Sequence, residues 1–190
     1  MRGFLRSGLL ARVLTIAAGG FLGSVTAAFG GGPAGEFTAT AEIETGSGMR
    51  SLEMEIVVSS PMTREEAKSF KRLLKDRGQW GLATAIRGGS RGTFRLGALD
   101  YPIDLVIAEK IPDGYRYFVV TTRPLEFEEV RQGKASLDNP FTVAVFDVPN
   151  SGAGQGQLFT RAALSIDAGG QVHTEQYKKR AGILKAVTRR

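Results

Sequence analysis

Apolar and polar residues alternate along most of the chain after residue 36, and a period of two marks strands with one buried face. Phe37, Ala39, Ala41 and Ile43 fall on one side, and Thr38, Thr40, Glu42 and Glu44 on the other. The Gly46-Ser47-Gly48 turn leads into Leu52, Met54, Ile56 and Val58, opposed by Glu53 and Glu55. These two segments predict a hairpin.

The period then changes. Thr63 and Glu66 have the spacing of a capping box, in which each side chain satisfies the other residue's orphan amide. Ala67, Phe70, Leu73 and Leu74 follow at helical spacing, with lysines and arginines on the other side and Gly78 as the stop. The pattern predicts one amphipathic helix over about 63–77. Alternation resumes at 80–87, 93–96, 103–109, 115–122, 125–130, 141–148, 157–166 and 172–177. Turn residues separate these runs at 88–89, 112–114, 138–140, 150–152 and 168–170. Ile183, Leu184 and Val187 suit a short C-terminal helix.

The expected fold is mainly β: an antiparallel β-barrel or β-sandwich of about eight to ten strands carrying that one helix. A single domain is expected over 37–187, with a basic end at 188–190. A domain of this size buries enough surface to fold without a metal or disulfide.

The first 36 residues follow another logic. Arg2, Arg6 and Arg12 precede an uncharged, small and apolar stretch over 13–29, and Val25-Thr26-Ala27 has the small-x-small pattern of a signal-peptidase site. A cleavable signal over 1–27 is expected, with residues 28–36 as a flexible mature start. The alternative, an uncleaved anchor, is weakened by Gly19, Gly20 and Gly23. The chain has no cysteine, so a lipid anchor is excluded; the general secretory route and a periplasmic or secreted location are expected. No later segment is apolar enough to span a bilayer.

Charge location changes what the formal +6 and pI near 9.8 imply. Three of the 25 bases lie in the leader, and Lys178, Lys179, Arg180, Lys185, Arg189 and Arg190 crowd the end. All 19 acids fall between Glu36 and Glu175, so the body is slightly negative. Removing the leader halves the formal charge, which takes away the main reason to expect nucleic acid as a partner. The basic end remains available to touch an anionic surface.

Little catalytic chemistry is legible. His173 is the only histidine and sits in an alternating run, which leaves no base for a serine triad and no histidine cluster for a metal. No cofactor or metal site is expected. Glu126 and Glu128 would lie about 7 Å apart on a strand face, a separation that carboxylate hydrolysis uses. Arg123 precedes Pro124, a residue of strand edges and bulges, and from there would face a ligand carboxylate, Asp147 or Glu126. Tyr117 and Trp80 are the aromatic candidates for a binding mouth. The Gly152–Gly156 stretch lacks the following helix of a phosphate loop and reads as a hairpin connection. The leading expectation is an exported, non-enzymatic binding domain for a small apolar ligand or an envelope protein. Glu126, Asp147 and Arg123 carry the competing enzyme reading, and the basic end a third, in which the domain is an envelope-associated structural element.

Overall fold

The alternation in the first hairpin translates directly into structure. In the computed structural model, which describes residues 32–45, 48–123, 125, 139–168, 171–176 and 180–190, β1 (Gly35–Thr45) pairs along its whole length with β2 (Gly48–Val58). Phe37, Ala39, Ala41 and Ile43 are buried together with Met54, Ile56 and Val58. The expected leader lies outside the described residues, as does the expected strand over 125–130, with Glu126 and Glu128, apart from Leu125, which is buried.

The remaining strands are β3 (Gly92–Leu96), β4 (Leu99–Ile103), β5 (Leu105–Ile111), β6 (Gly114–Thr121), β7 (Phe141–Pro149), β8 (Gly154–Ile166), β9 (Val172–Gln176) and β10 (Gly182–Arg189). All pairings are antiparallel, and the sheet runs β4-β3-β2-β1-β10-β8-β7-β6-β5, with β9 also on β8. The two ends of that path, β4 and β5, are consecutive in the chain and separated by Asp104 alone. The sheet therefore curls round into a nearly closed barrel that the chain circles in sequence, with β10 returning to β1. Such curling brings the two edge strands together at a seam, where an open sheet would leave them apart.

Two apolar layers result. Inward side chains of the strands meet in one core, where the rings of Phe37, Tyr117 and Phe146 lie with centroids 5.0–5.5 Å apart. The outer face of β5–β7 is buried as well: Leu105, Ile107, Phe118, Val120, Phe141 and Val143 pack with Phe70, Leu74 and Leu82 of the helix and with Leu164 and Val172 of β8 and β9. Burial on both faces explains why these strands are continuously apolar where β1 and β2 alternate.

The helix α1 (Arg64–Ile86) begins on the expected capping box: Thr63 Oγ1 accepts from the Glu66 N–H at 3.3 Å, and Glu66 Oε2 from the Thr63 N–H at 2.8 Å. Gly78, at φ 64°, breaks it, a left-handed conformation that favours glycine. Here the expectation is corrected. Residues 79–86 form a second helical arm, not a strand over 80–87. Trp80, Leu82 and Ile86 satisfy period two, yet the spacing of Leu82, Ala83 and Ile86 also suits a helix, and packing decides for the latter. Gln79 secures this arm, its side chain accepting from the Leu164 N–H and donating to the Leu164 carbonyl.

The C-terminus brings a second correction. Residues expected to form a short helix are strand β10. Leu184 pairs with Gly156 and Val187 with Gly154, so one extra residue is accommodated between them, beside Ala186 at φ 50°. This β-bulge turns both side chains into the barrel core, and its three-residue spacing imitates a helical stripe. Lys185 and Arg189 are consequently part of the wall, with Arg190 just after it, while Lys178 and Lys179 lie outside the described residues. Lys185 pairs with Glu42 at 2.7 Å, Arg190 with Glu55 at 2.9 Å, and Arg189 donates to the Ala34 carbonyl at 2.8 Å. At the other end of the domain, Gly35 and Glu36, assigned from the sequence to a flexible start, already belong to β1.

Candidate functional site

The sequence-derived candidates do not converge. Tyr117 is an inward residue of β6, 1% exposed, and its hydroxyl donates to the Pro33 carbonyl at 2.9 Å. Burial pushes its hydroxyl pKa up to about 12, so it is a core residue that ties down the chain entering β1. Asp147 on β7 is engaged by Arg116, its cross-strand partner, through a two-pronged contact at 2.7 and 2.9 Å. Arg123 follows the opposite end of β6, roughly 20 Å along the strand, so the expected Arg123–Asp147 pairing does not form. Its backbone is held there: the Arg123 N–H donates to Thr121 Oγ1, and Thr142 Oγ1 donates to its carbonyl. Trp80 is 47% exposed on the second arm of α1, with the Arg87 guanidinium 5.9 Å from its ring centroid. His173 is exposed and bonds Asp167 Oδ2 at 2.9 Å.

The glycines of 152–156 are explained by strand packing. A Cβ at Gly156 would collide with the Val145 carbonyl and with Phe146, and one at Gly154 with the Asp147 carbonyl. Both permit close approach of β7 and β8 across the hairpin and form no phosphate cradle.

The bend at Gly78 builds something the sequence did not suggest. The two arms of α1 close over the barrel and leave an elbow cleft of about 580 Å³. Its apolar side is formed by Met62, Phe70, Leu73, Leu82, Ile86 and Leu105, and its charged side by Glu65, Glu66, Arg87, Arg91 and Asp104.

Most of those charges are committed. Asp104 is buried, accepting from the Gly88 N–H at 2.9 Å and from both the N–H and the hydroxyl of Thr122 at 2.7 and 2.8 Å. Glu66 pairs with Arg91, which also bonds Ser60 Oγ at 3.2 Å. The hydrogen bond from the Thr63 backbone, followed by that from Arg91, holds the Glu66 carboxyl below its usual range. Glu65 pairs with Lys68. Arg87 makes no ion pair among the described residues; its contact is the face of Trp80.

Glu109, which no sequence pattern singled out, is the unusual carboxyl. It is 6% exposed on β5, opposite Arg116, and its Oε1 has no hydrogen-bond partner among the described residues. Burial raises its pKa, against the opposing fields of Arg116, Lys71 and His173. A carboxyl ending the apolar run Leu105–Ala108 was the only sequence signal for it.

Among the described residues no cluster of three histidine, cysteine, aspartate or glutamate side chains could hold a metal, and no helix is long and apolar enough to cross a membrane. The chain matches no protein-family model, no curated protein and no solved structure in comparisons with each.

Proposed function

We propose that the protein is an exported, non-enzymatic binding protein, and that its site is the elbow cleft of α1, which takes a small molecule with an apolar body and one acidic end. The observation carrying this reading is the pairing of an apolar floor with a lip on which Arg87, alone of the two arginines there, has no carboxylate partner among the described residues. A cleft of a few hundred Å³ with few convergent polar groups is the usual form of a small-molecule site. An acid group meeting Arg87 supplies the missing half of a charge-assisted hydrogen bond.

The barrel interior is a poorer host. Phe37, Phe94, Tyr117 and Phe146 project into it and are each no more than 2% exposed, and side chains readily fill a barrel of this size. Export rests on the arginine-bearing apolar leader and its Val25-Thr26-Ala27 site.

Native mass spectrometry of the protein recovered from its own host's envelope tests both parts. The expected spectrum shows a mature chain starting at Ala28, with a retained acidic amphiphile. A full-length chain found in the cytoplasmic fraction would overturn export. A ligand-free chain that also fails to take up added alkyl carboxylates would overturn the binding reading.

A further inference from the structure

The first arm of α1 separates its charges from the rest of the domain. Arg64, Lys68, Arg72 and Lys75, spaced at one helical turn, are exposed, while Ala67, Phe70 and Leu74 are buried against the barrel. Arg77 is exposed at the end of the same arm, and Lys71 is half-buried beside it. Three acids of the arm offset part of this: Glu66 is turned to Thr63 and Arg91, Glu65 meets Lys68 across an exposed contact of small energetic weight, and Asp76 is exposed between Lys75 and Arg77, which leaves six bases against three acids. With the C-terminal bases set aside the body of the chain is slightly negative, so this ridge is a local concentration of positive charge on it.

We propose that this ridge is a docking surface for an anionic lipid bilayer, on which the helix lies with its bases toward the headgroups. Lysine and arginine stems extend over apolar surface while their heads reach outward. Each base near an anionic leaflet strengthens binding roughly fivefold, so a row of four suits a diffuse planar field. A row of bases would also meet nucleic-acid phosphates, but the ridge lacks the further contacts that strengthen such binding. Thr63 and Glu66 cap the helix N-terminus, so its amides are not offered to phosphate, and the arm exposes no aromatic ring for base stacking, Trp80 lying beyond the Gly78 bend. None of Arg64, Lys68, Arg72 and Lys75 lines the elbow cleft.

The test is co-sedimentation of the full chain with vesicles of phosphatidylglycerol and phosphatidylcholine, and with vesicles of phosphatidylcholine alone. The wild type is expected to prefer the anionic vesicles and to lose that preference near 1 M salt, where the Debye length is about 3 Å. The triple variant Lys68→Glu, Arg72→Glu, Lys75→Glu is expected to bind them at least about a hundredfold more weakly, with an unchanged thermal transition. The triple glutamine variant at these positions is expected to fall between the two. Equal sedimentation of wild type and both variants would overturn the proposal by placing any membrane affinity elsewhere, as in the apolar N-terminal stretch. Binding to DNA or heparin without binding to anionic vesicles would overturn it in favour of a polymer.

Discussion

Asp104 and Thr122 lie 18 residues apart, yet one carboxylate oxygen of Asp104 accepts both the N–H and the hydroxyl of Thr122, at 2.7 and 2.8 Å. The other oxygen takes the Gly88 N–H at 2.9 Å. Asp104 is also the residue between β4 and β5, the two ends of the sheet path. A single buried carboxylate thus joins the barrel seam, the end of β6 and the turn after α1, which forms part of the elbow cleft.

Removing that carboxylate should loosen seam and cleft together. Asp104→Ala leaves the Thr122 and Gly88 donors buried without their acceptor and is expected to cost about 3–5 kcal/mol. Thr122→Val, which removes one of the three bonds, is expected to cost about 1–2 kcal/mol. Urea denaturation followed by far-ultraviolet circular dichroism measures both. A loss below about 1 kcal/mol for Asp104→Ala would show that the seam is held elsewhere.

The C-terminal residues give a sharper contrast. Leu184 is fully buried in the barrel core, so Leu184→Ala is expected to cost about 2–5 kcal/mol. Lys185→Ala removes only a partly exposed ion pair with Glu42 and is expected to cost less than about 1 kcal/mol. Equal and small effects in thermal melts would indicate a dispensable tail in place of a wall strand.

Glu109 gives a pH signature whose sign is fixed by burial. Its folded pKa lies above the ordinary value of 4.5, so the folded state holds this proton more tightly than the unfolded chain does. The resulting stabilisation is complete below 4.5 and is lost as pH rises through the raised folded value. Glu109→Gln removes that loss. The variant is expected to match the wild type in stability near pH 4 and to gain on it as pH rises toward neutrality. Denaturation midpoints of both proteins across pH 4–8 decide this, and a difference that stayed constant with pH would contradict it.

The barrel and the first helical arm were legible because their signals are local. Phe37 to Ile43 alternate without interruption, and the capping box at Thr63 with the stop at Gly78 bounds the first arm. Three features were illegible for definite reasons. The stretch 80–87 satisfies both periods, and the packing of Leu82, Ala83 and Ile86 against the outer core, with Gln79 bonded to Leu164, settles it as helix. The bulge at β10 gives Leu184 and Val187 a helical spacing within a strand. The elbow cleft depends on how far the chain bends at Gly78, a tertiary quantity with no sequence period. The individually plausible candidates Arg123, Asp147, Tyr117 and Trp80 were scattered for a related reason: register, which carries residues to opposite ends of a strand pair, is specified by long-range pairing.

Trp80, the only tryptophan of the chain, lies against Arg87 of the cleft lip and reports on what binds there. Its fluorescence would be followed during titration with decanoate and with decanol, in the wild type and in Arg87→Gln. A saturable change with decanoate is predicted, about tenfold or more weaker with decanol and in the variant, as expected for loss of a charge-assisted hydrogen bond. Equal affinity for decanoate and decanol would remove the role of Arg87 and leave the cleft, whereas no saturable change with either ligand would overturn the cleft as a binding site.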